Sequence, residues 1–145
     1  MTDEIRAAVS RLAALGSFML PGATDDEIED CNALLEACGG KPLPEDYVPL
    51  LRQANGLQCP VFTLYPTGPA TLADSNIGMA TMKEIEDGYV PPCHVLGRLT
   101  TGGMPLVRDI ASSRYHVLDG GPYEVLYEYD SIAAFINGWL DKKKL

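Results

Sequence analysis

The sequence is short of basic residues. Its 145 residues include eleven lysines and arginines against twenty aspartates and glutamates, which gives a formal net charge of −9 at pH 7. Nucleic-acid binding draws its affinity from clustered cations, so this composition argues against a nucleic-acid partner. A basic protein would instead be attracted to such a surface, although the same charge also keeps a small protein in solution.

Histidine and cysteine are too few and too scattered to form a recognisable metal site. The two histidines, His94 and His116, lie in separate segments, and no C-x-x-C pair occurs. The four cysteines are Cys31, Cys38, Cys59 and Cys93. Zinc sites and disulfide frameworks need repeated spacings, so we expect no metal, no cofactor and free thiols in a reducing compartment.

Long apolar runs are also missing. No stretch reaches the roughly eighteen apolar residues that a membrane span requires. The first residues carry acids and are interrupted by Arg6 and Arg11, unlike the basic start and apolar middle of a secretory signal. We therefore expect a cytoplasmic protein with no membrane partner. Residues 1–145 are predicted to form a single domain, and composition leaves the oligomeric state open.

Three segments have the spacing of core-facing helices. Residues 3–15 place apolar side chains three and four positions apart, and Gly16 follows them. Thr24 and Glu27 are placed to form a capping box that opens a second helix ending at Gly39-Gly40. After Asp130 or Ser131 as the cap, the last segment carries an apolar stripe that should pack on a sheet.

The second half of the chain is rich in β-forming runs. CPVFTLYP at 59–66 is followed by HVLGRLT, MPLVRDI, RYHVLD and YEVLYEY, with hairpin-length gaps between the last four runs. These runs predict an α+β fold with a twisted antiparallel sheet of about five strands. The N-terminal helices and the C-terminal helix should pack on it. Between the first two runs, within residues 67–92, Leu72 with Ser75-Asn76, and then Met79, Met82 and Ile85 at steps of three, suggest one or two short helical pieces.

Residues 43–57, LPEDYVPLLRQANGL, predict a short helix with defined ends. Pro44 suits the first helical position, and Asn55-Gly56 tolerates a left-handed terminus. Pro49 lies inside this segment, where it cannot donate a backbone hydrogen bond, so we expect a kink or a tightened first turn. The segment should fix the angle between the helices and the sheet.

No catalytic residues are predicted. Cys93 and His94 are adjacent on a strand and should point to opposite faces, and His116 fits a solvent-facing or edge position. Glu124 and Glu128 are ~13 Å apart on a strand face, too far for a glycosidase pair. An enzyme using Cys93 would need that thiol exposed with a depressed pKa.

The segment LPEDYVPLLRQANGL resembles the hallmark Leu-Pro to Asn-Gly helix of the SUKH superfamily, which includes the Smi/Knr cell-wall regulators and many bacterial immunity proteins. VFTLYP, HVLGRL, RYHVLDG and YEVLYEYDSIAAFINGWL then follow in the order of that family's strands and closing helix. The resemblance implies a non-enzymatic α+β domain whose bacterial members bind and neutralise protein toxins.

The resulting hypothesis is an immunity protein that binds a basic polymorphic toxin. The alternatives are a regulatory or scaffolding domain that binds a cellular protein, and a small enzyme using Cys93. The predicted partner contacts are Glu45, Asp46, Asp119, Glu124 and Glu128. The predicted structural motif consists of Leu43, Pro44, Tyr47, Asn55 and Gly56.

Overall fold

The computed structural model describes residues 2–69, 75–87, 93–121 and 123–145, which contain five helices and seven strands. The helices are α1 (Thr2–Ala14), α2 (Asp25–Ala37), α3 (Val48–Gln53), α4 (Ile77–Glu86) and α5 (Ile132–Lys142). The strands are β1 (Phe18–Met19), β2 (Leu57–Gln58), β3 (Phe62–Leu64), β4 (Cys93–Leu99), β5 (Pro105–Asp109), β6 (Tyr115–Leu118) and β7 (Val125–Tyr129). None of these helices is long and apolar enough to cross a lipid bilayer.

The seven strands form one antiparallel sheet in the order β1-β2-β3-β4-β5-β6-β7. The predicted α+β class and antiparallel pairing are confirmed, but the prediction of about five strands is wrong. The additional strands, β1 and β2, have two residues each, too few for an alternating pattern to reveal. The register between β4 and β5 shifts at Gly97, where a Cβ atom would overlap the carbonyl of Thr63.

Aromatic side chains join the C-terminal helix to the sheet. Phe135 of α5 lies with its ring centroid 5.1 Å from that of Phe62, and Trp139 lies 5.3 Å from Tyr127. Ser131 caps this helix by accepting the Ala134 N–H at 3.0 Å. α1 packs against both α3 and α5, so these three helices form one group. The predicted packing of the last helix on the sheet is confirmed.

α2 and α4 form a second helical group, which contacts the sheet through β4. The predicted capping box is present, since Thr24 accepts the Glu27 N–H and the Glu27 carboxylate accepts the Thr24 N–H. Within 67–92, α4 confirms one of the helical pieces predicted there. The suggested piece around Leu72 falls outside the described residues. On α4, the Thr81 hydroxyl accepts the Val95 N–H of β4 at 2.9 Å.

The helix predicted over residues 43–57 is shorter and starts later. Residues 45–47 form a turn in which the N–H groups of Tyr47 and Val48 both donate to the Pro44 carbonyl. α3 then begins at Val48, which makes Pro49 its second residue. A proline in the first helical turn loses no intrahelical hydrogen bond. The predicted helix start at Pro44 is therefore wrong.

Candidate protein-binding site

Asn55 joins three parts of the fold. Its side-chain amide donates to Glu27 of α2 at 3.1 Å, and its side-chain carbonyl accepts the Thr67 N–H at 2.9 Å. Gly56 follows with φ +98°, a conformation that favours glycine. Leu43, Pro44, Tyr47, Asn55 and Gly56 are all buried. The structure thus places this motif in the interior, where it fixes α2 against the chain that follows β3.

An open cleft of about 660 Å³ lies beside Asn55. It runs between α2, the start of α4 and residues 66–69. Its apolar lining includes Leu20, Cys31, Leu34, Pro66 and Met79. Concave surfaces with an apolar lining and few polar groups are the usual places for ligand and partner binding.

The polar groups of the cleft are mostly engaged within the protein. One oxygen of Glu27 accepts the Thr24 N–H and the other accepts the Asn55 amide, while the side chain of Asn76 caps α4. Burial raises the pKa of the Cys31 thiol to about 11, which keeps it protonated and unreactive at neutral pH. Asp30 remains exposed at the rim. A bound molecule would therefore meet apolar surface edged by carboxylate.

The acidic excess is concentrated on α2. This helix carries six acidic residues and no basic one. Four of its carboxylates are exposed and have no ion-pair partner among the described residues, and together we call them the acidic face: Asp26, Glu29, Asp30 and Glu36. Acidic residues in a first helical turn complement the helix dipole, and the sequence analysis did not single out this face. The missing signal was the complete lack of lysine and arginine on the helix.

Most arginines are committed to ion pairs elsewhere. Five of the six make such pairs within the described residues: Arg6, Arg11, Arg52, Arg108 and Arg114. Of their partners, only Asp25 belongs to α2. The carboxylates of the acidic face therefore remain unpaired among the described residues.

Two of the predicted partner contacts, Asp46 and Glu128, form intramolecular ion pairs. Asp46 binds Arg108 at 2.7 Å and accepts the Tyr115 hydroxyl at 2.6 Å, which ties the turn before α3 to the sheet. Glu128 pairs with Arg114 at 2.9 Å and lies 2.8 Å from the imidazole of His116. His116 is buried, so its predicted solvent-facing or edge position is wrong.

The other three predicted contacts lie in two turns. Asp119 accepts the Gly121 N–H at 2.8 Å within the β6–β7 hairpin, and Glu124 is exposed in the same hairpin. Glu45 is exposed in the turn before α3. None of these three residues lines the cleft beside α2. These three residues stay predicted contacts, as do Asp46 and Glu128.

Cys93 and His94 are not arranged as a nucleophile and its base. Cys93 is buried, and its pKa is raised to about 12 by burial and by the carboxylates of Glu84 and Asp109. The imidazole of His94 lies 2.9 Å from the Lys41 carbonyl, and burial lowers its pKa. An exposed thiol with a depressed pKa, which an enzyme based on Cys93 would need, is not what the structure presents.

The described residues contain no group of three or more His, Cys, Asp or Glu side chains placed to hold a metal ion. No protein-family model matches the chain, and no curated protein sequence matches it. The acidic face and the cleft meet at Asp30, which belongs to both.

Proposed function

We propose that this chain is a non-enzymatic protein-binding module of the SUKH type, an immunity protein that binds and neutralises a basic polymorphic toxin. The observation that carries the proposal is the acidic face, four exposed and unpaired carboxylates on α2 beside an open apolar cleft. Opposite charge on a partner speeds its encounter and suppresses wrong partners. Neutralisation then requires only that the bound partner's active site is covered.

The SUKH assignment is supported by the role of the Leu-Pro to Asn-Gly segment. Its asparagine holds α2 and the segment after β3 together, so the acidic face is presented on a fixed backbone. A preorganised surface loses less conformational entropy on binding than a mobile one. The thiols of Cys31, Cys38, Cys59 and Cys93 are free. Free thiols are consistent with action in the reducing cytoplasm.

The test co-expresses this chain with the product of the neighbouring reading frame and measures growth and complex formation. We expect growth to be restored and a stoichiometric complex to form. Its association rate constant should fall at least tenfold between 50 and 500 mM NaCl, because salt screens long-range attraction. Failure to restore growth, or an association rate constant that does not change with salt, would contradict the proposal.

Matched double variants test which acidic residues speed the association. Glu29→Gln combined with Asp30→Asn should slow association, whereas Asp3→Asn combined with Glu4→Gln removes two exposed acids from α1 and should leave the rate nearly unchanged. Equal effects of the two pairs would point to net charge alone and contradict a role for the acidic face. Glu45→Gln and Glu124→Gln test the contacts predicted from the sequence in the same assay.

A further inference from the structure

Apolar side chains emerge along the junction of α2 and α4. Leu34 is 36% exposed, Met79 53% and Ile85 40%. Cys38 and Met82 lie between them and are half-buried. We call these five residues the apolar seam. Apolar surface that is contiguous and rimmed by polar groups often marks an interaction site.

The two helical segments that carry the seam approach each other closely. A Cβ atom at Gly78 would overlap Leu34, and one at Gly40 would lie 3.5 Å from the Ile85 side chain. Between these two contacts, the Cys38 thiol lies against the Met82 sulfur. Leu34 and Met79 also line the cleft beside Asn55, so the seam extends into that cleft.

Carboxylates flank the seam on both helices. Asp30 is exposed on α2 one turn before Leu34, and Glu86 is exposed at the end of α4 one turn after Met82. Lys83 is the one basic residue within α2 and α4, and Lys41 lies near the Ile85 end of the seam. An apolar strip bordered by acids is complementary to a partner surface whose apolar strip is bordered by lysine or arginine.

We propose that the apolar seam binds a basic amphipathic helix of the partner protein, an inference that rests on the proposed function. The main-chain groups of α2 and α4 are largely used within their own helices, so an extended segment would gain few backbone hydrogen bonds here. A helix forms its backbone hydrogen bonds within itself, so it needs none from this surface. The two methionines provide side chains that adapt to a partner's apolar residues.

The dimensions of the seam set the length of the bound helix. Met79 and Ile85 are six residues apart, which corresponds to about 9 Å along α4. The adjoining cleft lengthens the apolar surface beyond Met79. A partner helix of about three turns, with apolar residues at positions i, i+4 and i+7 and basic residues on its flanks, fits this surface.

The competing surface is β7, an edge strand of the sheet. Val125 and Leu126 are 50% and 44% exposed there, and an edge strand can accept an added strand. A partner that added a strand at β7 would need no helical structure. The two surfaces can therefore be distinguished with peptides of defined shape and with variants at each surface.

The test titrates the full chain with an amidated 14-residue peptide of leucine and lysine, patterned as an amphipathic helix. Two control peptides keep the length: one scrambles the same residues, and the other replaces lysine with glutamate. We expect the helical peptide to bind at least tenfold more tightly than either control. Its NMR shift changes should centre on Leu34, Met79 and Ile85. Binding equal to that of the scrambled peptide would overturn the inference.

Variants at exposed positions complete the test. Met79→Gln combined with Ile85→Gln should weaken binding of the helical peptide at least tenfold, while Val125→Gln combined with Leu126→Gln should leave it unchanged. The reverse result would place binding at β7 and overturn the inference. Near-ultraviolet circular dichroism checks that both double variants are folded.

The two proposals fail differently. If the neighbouring gene product is neutralised in a salt-dependent manner but the Met79 and Ile85 variant binds it normally, the seam inference is wrong and the proposed function stands. If the helical peptide binds at the seam but growth is not restored, the proposed function is wrong, and the seam remains a binding surface for basic helices.

Discussion

Asp46 connects separate parts of the molecule through a single carboxylate. It pairs with Arg108 of β5 and accepts the Tyr115 hydroxyl of β6, while the backbone at Asp46 belongs to the turn before α3. The Arg108 side chain is only 14% exposed. An acidic residue that sequence reasoning assigned to a partner is therefore already used to hold the turn on the sheet.

Replacing Asp46 with alanine should destabilise the protein. The change leaves the largely buried guanidinium of Arg108 and the hydroxyl of Tyr115 without their acceptor, so we expect a loss of about 2–4 kcal/mol in the free energy of unfolding. Urea denaturation measures this loss. The exposed neighbour provides the control, because Glu45→Ala should change stability by less than about 0.5 kcal/mol. Equal effects of the two substitutions would show that the Asp46 contacts contribute nothing.

His94 should make stability depend on pH. Burial lowers the pKa of His94, the nearby charge of Arg108 lowers it further, and the Lys41 carbonyl partly opposes both. The unfolded chain binds a proton at this residue near pH 6.5, whereas the folded chain binds it only at lower pH. The unfolded state therefore binds more protons in that interval, so stability falls as pH decreases from about 6.5 toward the folded pKa.

The His94→Gln variant isolates this effect. Between pH 7.5 and pH 5.5 the wild-type free energy of unfolding should decrease by more than that of the variant, as measured by urea denaturation at each pH. Comparing the two proteins at the same pH removes the contribution of other titrating groups. A wild-type decrease no larger than that of the variant would show that His94 does not titrate in this way.

At the scale of elements, the position of Pro49 explains why α3 tolerates it. The residue is the second of the helix, where its missing N–H has no intrahelical acceptor. Pro49→Ala should therefore change the free energy of unfolding by less than about 1 kcal/mol. The adjacent Leu50→Ala removes a fully buried side chain and should cost about 2–5 kcal/mol. A large loss for Pro49→Ala would show that the proline ring has another role.

Elements with several periods of apolar residues could be predicted from the sequence. α2, α5 and the strands β3, β5, β6 and β7 lie within the predicted segments, and α1 and β4 each begin one residue before theirs. The two-residue strands β1 and β2 could not be predicted, because they are separated in sequence by α2 and α3 and pair only in the folded structure. The start of α3 was missed because Pro44 suits a turn as well as a first helical position.

The candidate site was harder to predict than the fold. Acidic residues near a helix start have a local explanation, so sequence could not separate the acids of α2 from ordinary dipole partners. Which carboxylates remain free depends on tertiary pairing. Arg108 reaches Asp46 across 62 residues, and Arg114 reaches Glu128 on the neighbouring strand. Only the folded structure shows that Asp46 and Glu128 form ion pairs within the protein. The carboxylates of the acidic face have no ion-pair partner among the described residues.

At the scale of the whole molecule, the uneven charge should affect stability. The net charge is −9, and six of the acids lie on one helix of thirteen residues. Mutual repulsion among like charges opposes the folded state, and salt screens it. We expect the free energy of unfolding in urea to rise by about 1 kcal/mol between 50 and 500 mM NaCl.

The Glu29→Gln and Asp30→Asn double variant should show a smaller rise with salt than the wild-type protein. Urea is the appropriate denaturant because guanidinium chloride is itself a salt. A decrease in wild-type stability with salt would mean that the arginine ion pairs outweigh the repulsion on α2.

The strand order has a consequence for how the chain reaches its native state. From β4 onward, each strand pairs with its successor across a short connection, so these hairpins can form early and add to one another at little entropic cost. β1 must instead wait for β2, which follows it only after α2 and α3. The strands from β4 to β7 should therefore act as the template for folding, and the β1 edge of the sheet should be completed last.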